Sequence, residues 1–285
     1  MKNLKSTAIL GATILSFWSF ETQAQTLKVP QASPTQMIKQ NFGIGEIALE
    51  YSRPSVKGRV IFGELLPFGK IWRTGANSAT KITFSDDVKF EGNDVKAGTY
   101  AMYTIPNKDS WEIMLYKDLT LGGNTADYKA ENELLKVKVT PTSYLEKVET
   151  FTIHLADMTP TSTVLELIWD KTRVPVKITT DIDAKVMKSI ETSLATDTRP
   201  YFQSASYYFE NNKDLNQALV WTNKAIEANP KAFYMVMLKA KIELKLQNKT
   251  AAIASAEKTI LLAKEAKNDD YVKMAENFIL DAKKK

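Results

Sequence analysis

Lys81-Ile82-Thr83-Phe84-Ser85-Asp86-Asp87-Val88-Lys89-Phe90-Glu91 places an apolar side chain at every second position on either side of a Ser-Asp-Asp break. A period of two puts Ile82 with Phe84, and Val88 with Phe90, on single faces, so the segment predicts two strands joined as a hairpin. The pattern extends outward in both directions. Thr99 to Ile105 is aromatic and β-rich, and Pro106-Asn107-Lys108-Asp109 turns it into Trp111-Glu112-Ile113-Met114-Leu115. Leu135, Val137 and Val139 alternate with Lys136 and Lys138, and Phe151–Leu155, Val164–Trp169 and Val174–Ile178 follow. Eight or nine short strands between about Ile44 and Thr180 predict an antiparallel β-sandwich domain over residues 30–180.

After Asp181, Pro and Gly nearly vanish and Ala, Lys, Leu and Glu recur at helical spacing, which predicts a helical domain over residues 183–285. With Pro230 closing a 34-residue unit, Ala205, Ser206, Ala218 and Ala225 fill small positions and Phe209 an aromatic one. This resembles a tetratricopeptide repeat, in which small residues let paired helices approach closely. A shift of 34 maps Ser206 onto Ala240 and Ala218 onto Ala252, but Glu243 replaces the aromatic and Thr259 and Lys264 replace Ala and Pro. A plain helical bundle is the competing reading. The whole chain therefore reads as multidomain, β then α.

The 285 residues are 44% hydrophobic and 25% charged with no Cys, which excludes a disordered, collagenous or disulfide-stapled protein and suits two domains. The net charge of +5 divides into +1 over residues 1–24, +1 over residues 25–180 and +3 over 181–285. That even spread lacks the concentrated basic face of a nucleic-acid binder, so no nucleic acid is expected as partner. Lys2 and Lys5, the uncharged run Ala8–Phe20 and the small Ala24 read as a signal peptide over residues 1–24, cut ahead of Gln25. The run is shorter than the roughly 20 residues of a membrane span, which disfavours an uncleaved anchor. The expectation is an exported protein, periplasmic or envelope-associated, with no membrane span in the mature chain.

Three of the five Arg, Arg53, Arg59 and Arg73, lie within Tyr51-Ser52-Arg53-Pro54, Gly58-Arg59-Val60-Ile61-Phe62-Gly63 and Gly69-Lys70-Ile71-Trp72-Arg73-Thr74-Gly75-Ala76-Asn77-Ser78-Ala79-Thr80. Guanidinium forks suit carboxylate or phosphate, so Arg53, Arg59, Trp72, Arg73, Asn77 and Thr80 form a candidate site for a small anionic ligand. Trp72, between two glycines, is the candidate exposed stacker. The structural alternative has the forks bind internal carboxylates such as Glu46, Glu50 or Glu64.

GRVIFG, WRTGANSAT and GTYAMYTIP with a Trp shortly beyond resemble the domain of unknown function 2911 family. The resemblance covers about residues 30–180 and implies an exported bacterial protein with a β-rich domain, sometimes followed by tetratricopeptide-like helices. It implies no reaction and no catalytic residue.

His154 is the only histidine, with Asp157 three residues on. One His and no Cys leave a zinc site only carboxylates, so no metal is expected, and a half-buried structural imidazole is the favoured reading. No motif calls for a cofactor: G-x-S-x-G, a phosphate-cradling Gly-rich loop and His-Glu-x-x-His are all missing. Trp111 and Trp169, in alternating strands, belong to a core. Three functions remain in play, the last of which makes the β domain structural and leaves all function to the helices. The leading one is a non-catalytic binding or assembly protein, with a polar site on the β domain and a protein partner on the helices. The alternative is a periplasmic hydrolase or other enzyme using the Arg-rich segment with His154 and Asp157.

Overall fold

The computed structural model describes residues 29–195 and 200–284, so the expected signal peptide and its cut ahead of Gln25 lie outside the described residues. Ten strands form two antiparallel sheets. The first holds β1 (Thr35–Phe42), β2 (Gly45–Ser52), β3 (Thr80–Phe84), β6 (Gly98–Ile105), β7 (Trp111–Tyr116) and β8 (Glu133–Val139), in the order β1-β2-β3-β6-β7-β8. The second holds β4 (Val88–Phe90), β5 (Asn93–Val95), β9 (Thr142–Ala156) and β10 (Ser162–Thr179), in the order β5-β4-β10-β9. Their inner faces share one core in which Ile82, Phe84 and Met102 of the first sheet meet Phe90, Ile153, Leu165 and Val176 of the second. The architecture is a sandwich.

The hairpin expected at residues 81–91 does not form. β3 pairs with β2 and β6, whereas β4 pairs with β5 and β10. Ser85-Asp86-Asp87 is instead a corner that carries the chain from one sheet to the other. Ser85 receives the Glu46 amide on its hydroxyl and donates its own amide to the Glu46 carbonyl, while Asp87 pairs with Lys96 at 2.7 Å. Alternation along each strand is unchanged by the crossing, because Phe84 and Phe90 reach the same core from opposite walls.

Residues 53–57 close the open edge of β9. The Phe151 amide donates to the Pro54 carbonyl at 2.8 Å and the Val56 amide to the Glu149 carbonyl at 2.7 Å, with Ser55 bridged to Thr150. An unpaired edge strand is a template for aggregation, and this loop covers the edge over Glu149–Phe151. Val56 and Ile61 then plug the end of the core.

Six helices follow: α1 (Asp183–Leu194), α2 (Tyr201–Glu210), α3 (Leu215–Ala228), α4 (Phe233–Lys245), α5 (Lys249–Glu265) and α6 (Asp269–Lys284). Asp214 and Asn248 cap α3 and α5 through their side-chain oxygens, satisfying amides that have no intrahelical acceptor. None of these helices is long and apolar enough to cross a membrane. Asp183 at the start of α1 accepts from the Tyr207 hydroxyl at 2.8 Å and pairs with Lys213 at 2.7 Å, and Lys185 pairs with Asp86 at the sheet corner.

Ala205, Ala218, Ala240 and Ala252 are fully buried. Glu243 is buried too, accepting from the Ser255 hydroxyl at 2.6 Å. Because Ala218 and Ala252 are fully buried, Ala218→Leu and Ala252→Leu are each expected to overpack their helix pair and cost about 1–3 kcal/mol. Thermal melts that match the parent would show that the helices do not pack through these residues.

Candidate functional site

Trp72 is not an exposed stacker. Its backbone exchanges hydrogen bonds with Thr104 of β6 at 2.7 and 2.8 Å, which turns the indole inward, and the residue is 7% exposed. The ring stacks on Trp169 with centroids 5.8 Å apart, meets Trp111 and Phe151 edge-on, and donates from Nε1 to the Gly75 carbonyl at 2.9 Å. Thr80 is also fully buried, its hydroxyl turned to the Thr74 carbonyl. Trp111 and Trp169 lie in the core.

The three arginines serve separate places, and none of them pairs with Glu46, Glu50 or Glu64. Arg53 donates from Nε to the Phe151 carbonyl at 3.0 Å and from Nη2 to the Thr152 hydroxyl at 2.8 Å, fastening the covered edge of β9. Arg59 donates to the Val56 and Ser55 carbonyls and closes its own turn, in which Lys57 and Gly58 both have positive φ. Arg73 donates from Nη1 to the Gly123 carbonyl at 3.2 Å, and its buried Nε has no hydrogen-bond partner. Gly123 is needed there: a Cβ would come 2.7 Å from the Asn77 carbonyl and 2.9 Å from the Arg73 Nη1. The acceptors are backbone carbonyls and a hydroxyl, which sequence spacing does not reveal.

The 120s loop is held onto the outer face of the first sheet by an aromatic cluster beside Arg73. The Tyr103 hydroxyl donates to the Gly122 carbonyl at 2.9 Å, and Tyr116 stacks on Tyr128 with centroids 4.6 Å apart. Burial pushes the Tyr103 phenol up to about 12, so it stays a neutral donor.

Within this frame the 73–80 segment is strained. Thr74 has φ +56° and Asn77 φ +58°, the left-handed region that costs an L-residue roughly 1–2 kcal/mol and a β-branched one most. Gly75 packs so closely that a Cβ would lie 3.0 Å from the Ser52 carbonyl. The result is that the Asn77 amide faces outward, donating to the Ser33 carbonyl and the Ser52 hydroxyl, both at 3.2 Å. Beside it opens a cavity of about 460 Å³ lined by Gln31, Ser33, Thr35, Glu50, Ser52 and Ser78. Among the described residues no arginine lines it, and the one charged group in its lining is the Glu50 carboxylate. Strained backbone of this kind clusters at binding and switch sites.

His154 belongs to a different surface. It points away from the core on β9, directly opposite Glu166 of β10, and its Nε2 lies 2.8 Å from Glu166 Oε2. The other Glu166 oxygen takes Nε of Arg173 at 2.7 Å and also its Nη2. Burial works against the Glu166 charge, yet the Arg173 fork and the His154 ring hold its carboxyl below the ordinary carboxylate range. Asp157 stands in the β9–β10 turn at φ +49° and makes no hydrogen bond with His154. From the Arg-rich segment, Arg53 reaches this surface through Thr152, two residues from His154 on the same face. Glu166 and Arg173 were not singled out from sequence. The available signal was a lone carboxylate inside the apolar run Val164–Trp169, where an unpaired charge would be costly. Among the described residues no group of three His, Asp or Glu side chains could hold a metal ion.

The comparisons with known proteins agree with the β part of this description. No curated protein and no solved structure matches the sequence. Residues 33–178, just over half of the chain and the sandwich itself, match the family described as protein of unknown function (DUF2911). The chain belongs to the DUF2911 family.

Proposed function

We propose that this protein is an exported, non-catalytic binding or assembly protein of the periplasm or cell envelope. Its ligand site is the cavity beside Asn77, and its tetratricopeptide-like helices dock a protein partner. The observation that carries the reading is the Thr74-Gly75-Ala76-Asn77 turn, left-handed at Thr74 and Asn77, which holds a side-chain amide at the rim of a cavity rich in hydroxyls. Such a lining suits a neutral ligand bearing hydroxyl or amide groups. It replaces the anion expected from the arginines, whose forks are turned to the protein's own carbonyls.

The hydrolase reading rests on one favourable feature, the carboxylate that orients the His154 ring. Against it, Arg173 already neutralises that carboxylate, and no described hydroxyl is hydrogen-bonded to the imidazole to serve as nucleophile. Arg59, Arg73 and Asn77 lie away from it, so the parts of a general-base site are not assembled.

Asn77→Gly is the informative variant. Glycine adopts the left-handed conformation freely, so relief of strain offsets the two lost hydrogen bonds and the melting temperature should stay within about 2 °C of the parent. A panel of neutral oligosaccharides and short peptides is then screened on both proteins by thermal shift. A ligand at 100 times its Kd stabilises by about 2.7 kcal/mol. The shift should be seen in the parent and lost in the variant. A panel with no hit, or a hit that survives in the variant, would defeat the reading.

A further inference from the structure

We propose a second binding site at the end of the sandwich, for a single-ring carboxylate held by Phe62 and Phe68 on its faces and by Lys108 and Lys171 on its charge. Four separate stretches of chain meet there around a cavity of about 270 Å³. Two of them are motif segments that the pocket beside Asn77 leaves unused.

The aromatic floor is built deliberately. Phe62 bridges to Leu66, and the Gly63 amide donates to the Leu66 carbonyl at 2.8 Å, which folds Phe68 back over Gly63. Gly63 has φ +100°, and a Cβ there would lie 3.0 Å from the Phe68 ring, so the close approach needs glycine twice over. Phe62 sits edge-on against Trp111 with centroids 5.1 Å apart and is thereby fixed. Phe68 remains 36% exposed, a large ring half in solvent at the cavity mouth.

The charged side comes from two other elements. The β6–β7 turn brings Asn107 and Lys108, tied to the aromatic loop by the Gly69 amide donating to the Pro106 carbonyl at 3.0 Å. Lys171 and Thr172 come from an irregularity in β10: register slips on both sides of Asp170, whose φ is +53°. Bulges of this kind re-aim side chains and recur next to binding sites. Neither lysine enters an ion pair among the described residues. Among the described residues the lining holds two ammonium groups, the Asn107 amide and the hydroxyls of Thr142, Ser143 and Thr172, and no carboxylate.

Size, sign and shape then narrow the ligand. At about 270 Å³ the cavity falls just below the roughly 300–1,000 Å³ usual for ligand sites, so it takes one ring rather than a chain. Two unpaired ammonium groups beside aromatic rings ask for an anion joined to an apolar or stacking face. A sugar-ring acid and an aromatic acid share that chemistry.

The test is isothermal titration of the full mature chain with glucuronate against glucose, and benzoate against benzyl alcohol. One acid should bind at least 10-fold more tightly than its neutral counterpart, and which pair responds identifies the ring. The Lys108→Ala/Lys171→Ala double variant and Phe68→Ala should each weaken that binding at least 10-fold. Lys171→Glu should abolish it, and because both lysines are exposed the lysine variants should melt like the parent. Asn77→Gly should bind the acid like the parent, which separates this site from the cavity beside Asn77. No binding by either acid, equal binding of acid and neutral ligand, or unchanged binding in the lysine variants would overturn the proposal.

Discussion

Trp72→Ala is expected to lower the stability of the sandwich by about 3–5 kcal/mol, the cost of emptying a large aromatic site in a core. The indole touches three other aromatic rings, one from each of β7, β9 and β10, so its loss separates the two sheets where they are most aromatic. It also leaves the Gly75 carbonyl without its donor, at the base of the strained turn. Against a total stability of about 5–15 kcal/mol this is a large fraction. With a urea slope of about 2 kcal/mol/M, the unfolding midpoint should fall by roughly 2 M. Trp72→Phe should recover part of that. A midpoint shift under about 0.5 M for Trp72→Ala would return Trp72 to the surface as a stacking residue.

Glu166→Gln should cost about 3 kcal/mol, because it leaves the Arg173 guanidinium partly buried beside an amide that cannot neutralise it. Replacing both partners, as Glu166→Leu with Arg173→Met, should restore most of the loss, since no charge is then stranded. The pH dependence follows from the lowered Glu166 carboxyl. A carboxylate whose folded pKa lies below its unfolded value of about 4.3 stabilises fully above that value, and the contribution is lost as pH falls through the folded pKa. Stability of Glu166→Gln should therefore decline less steeply than that of the parent below about pH 4.3. Equal acid limbs in the two proteins, measured by urea unfolding from pH 6 to pH 3, would show that the carboxylate is not held by its partners.

Core membership could be read where it depended on local period. Trp111 and Trp169 stand at inward positions of alternating strands, and the sandwich places them there. Gly69 and Gly75 bracket Trp72 like a loop in the sequence, while its inward direction is set by a two-bond bridge to Thr104, more than thirty residues away. Ser85-Asp86-Asp87 looked like a hairpin turn for a similar reason. The same residues serve a turn within one sheet or a corner between two, and only the pairing of β4 with β10 distinguishes them.

Sequence by itself determined the order of β then α, the strand faces and the motif segments, because periodicity, turn chemistry and composition act between near neighbours. The tertiary structure decided what those segments do. Arg53 finds its acceptors at Phe151 and Thr152, Arg73 at Gly123, and His154 at Glu166 across the ladder. A guanidinium or imidazole bonds whichever acceptor the fold brings within about 3 Å, and backbone carbonyls, present at every residue, leave no mark in the sequence to announce that role.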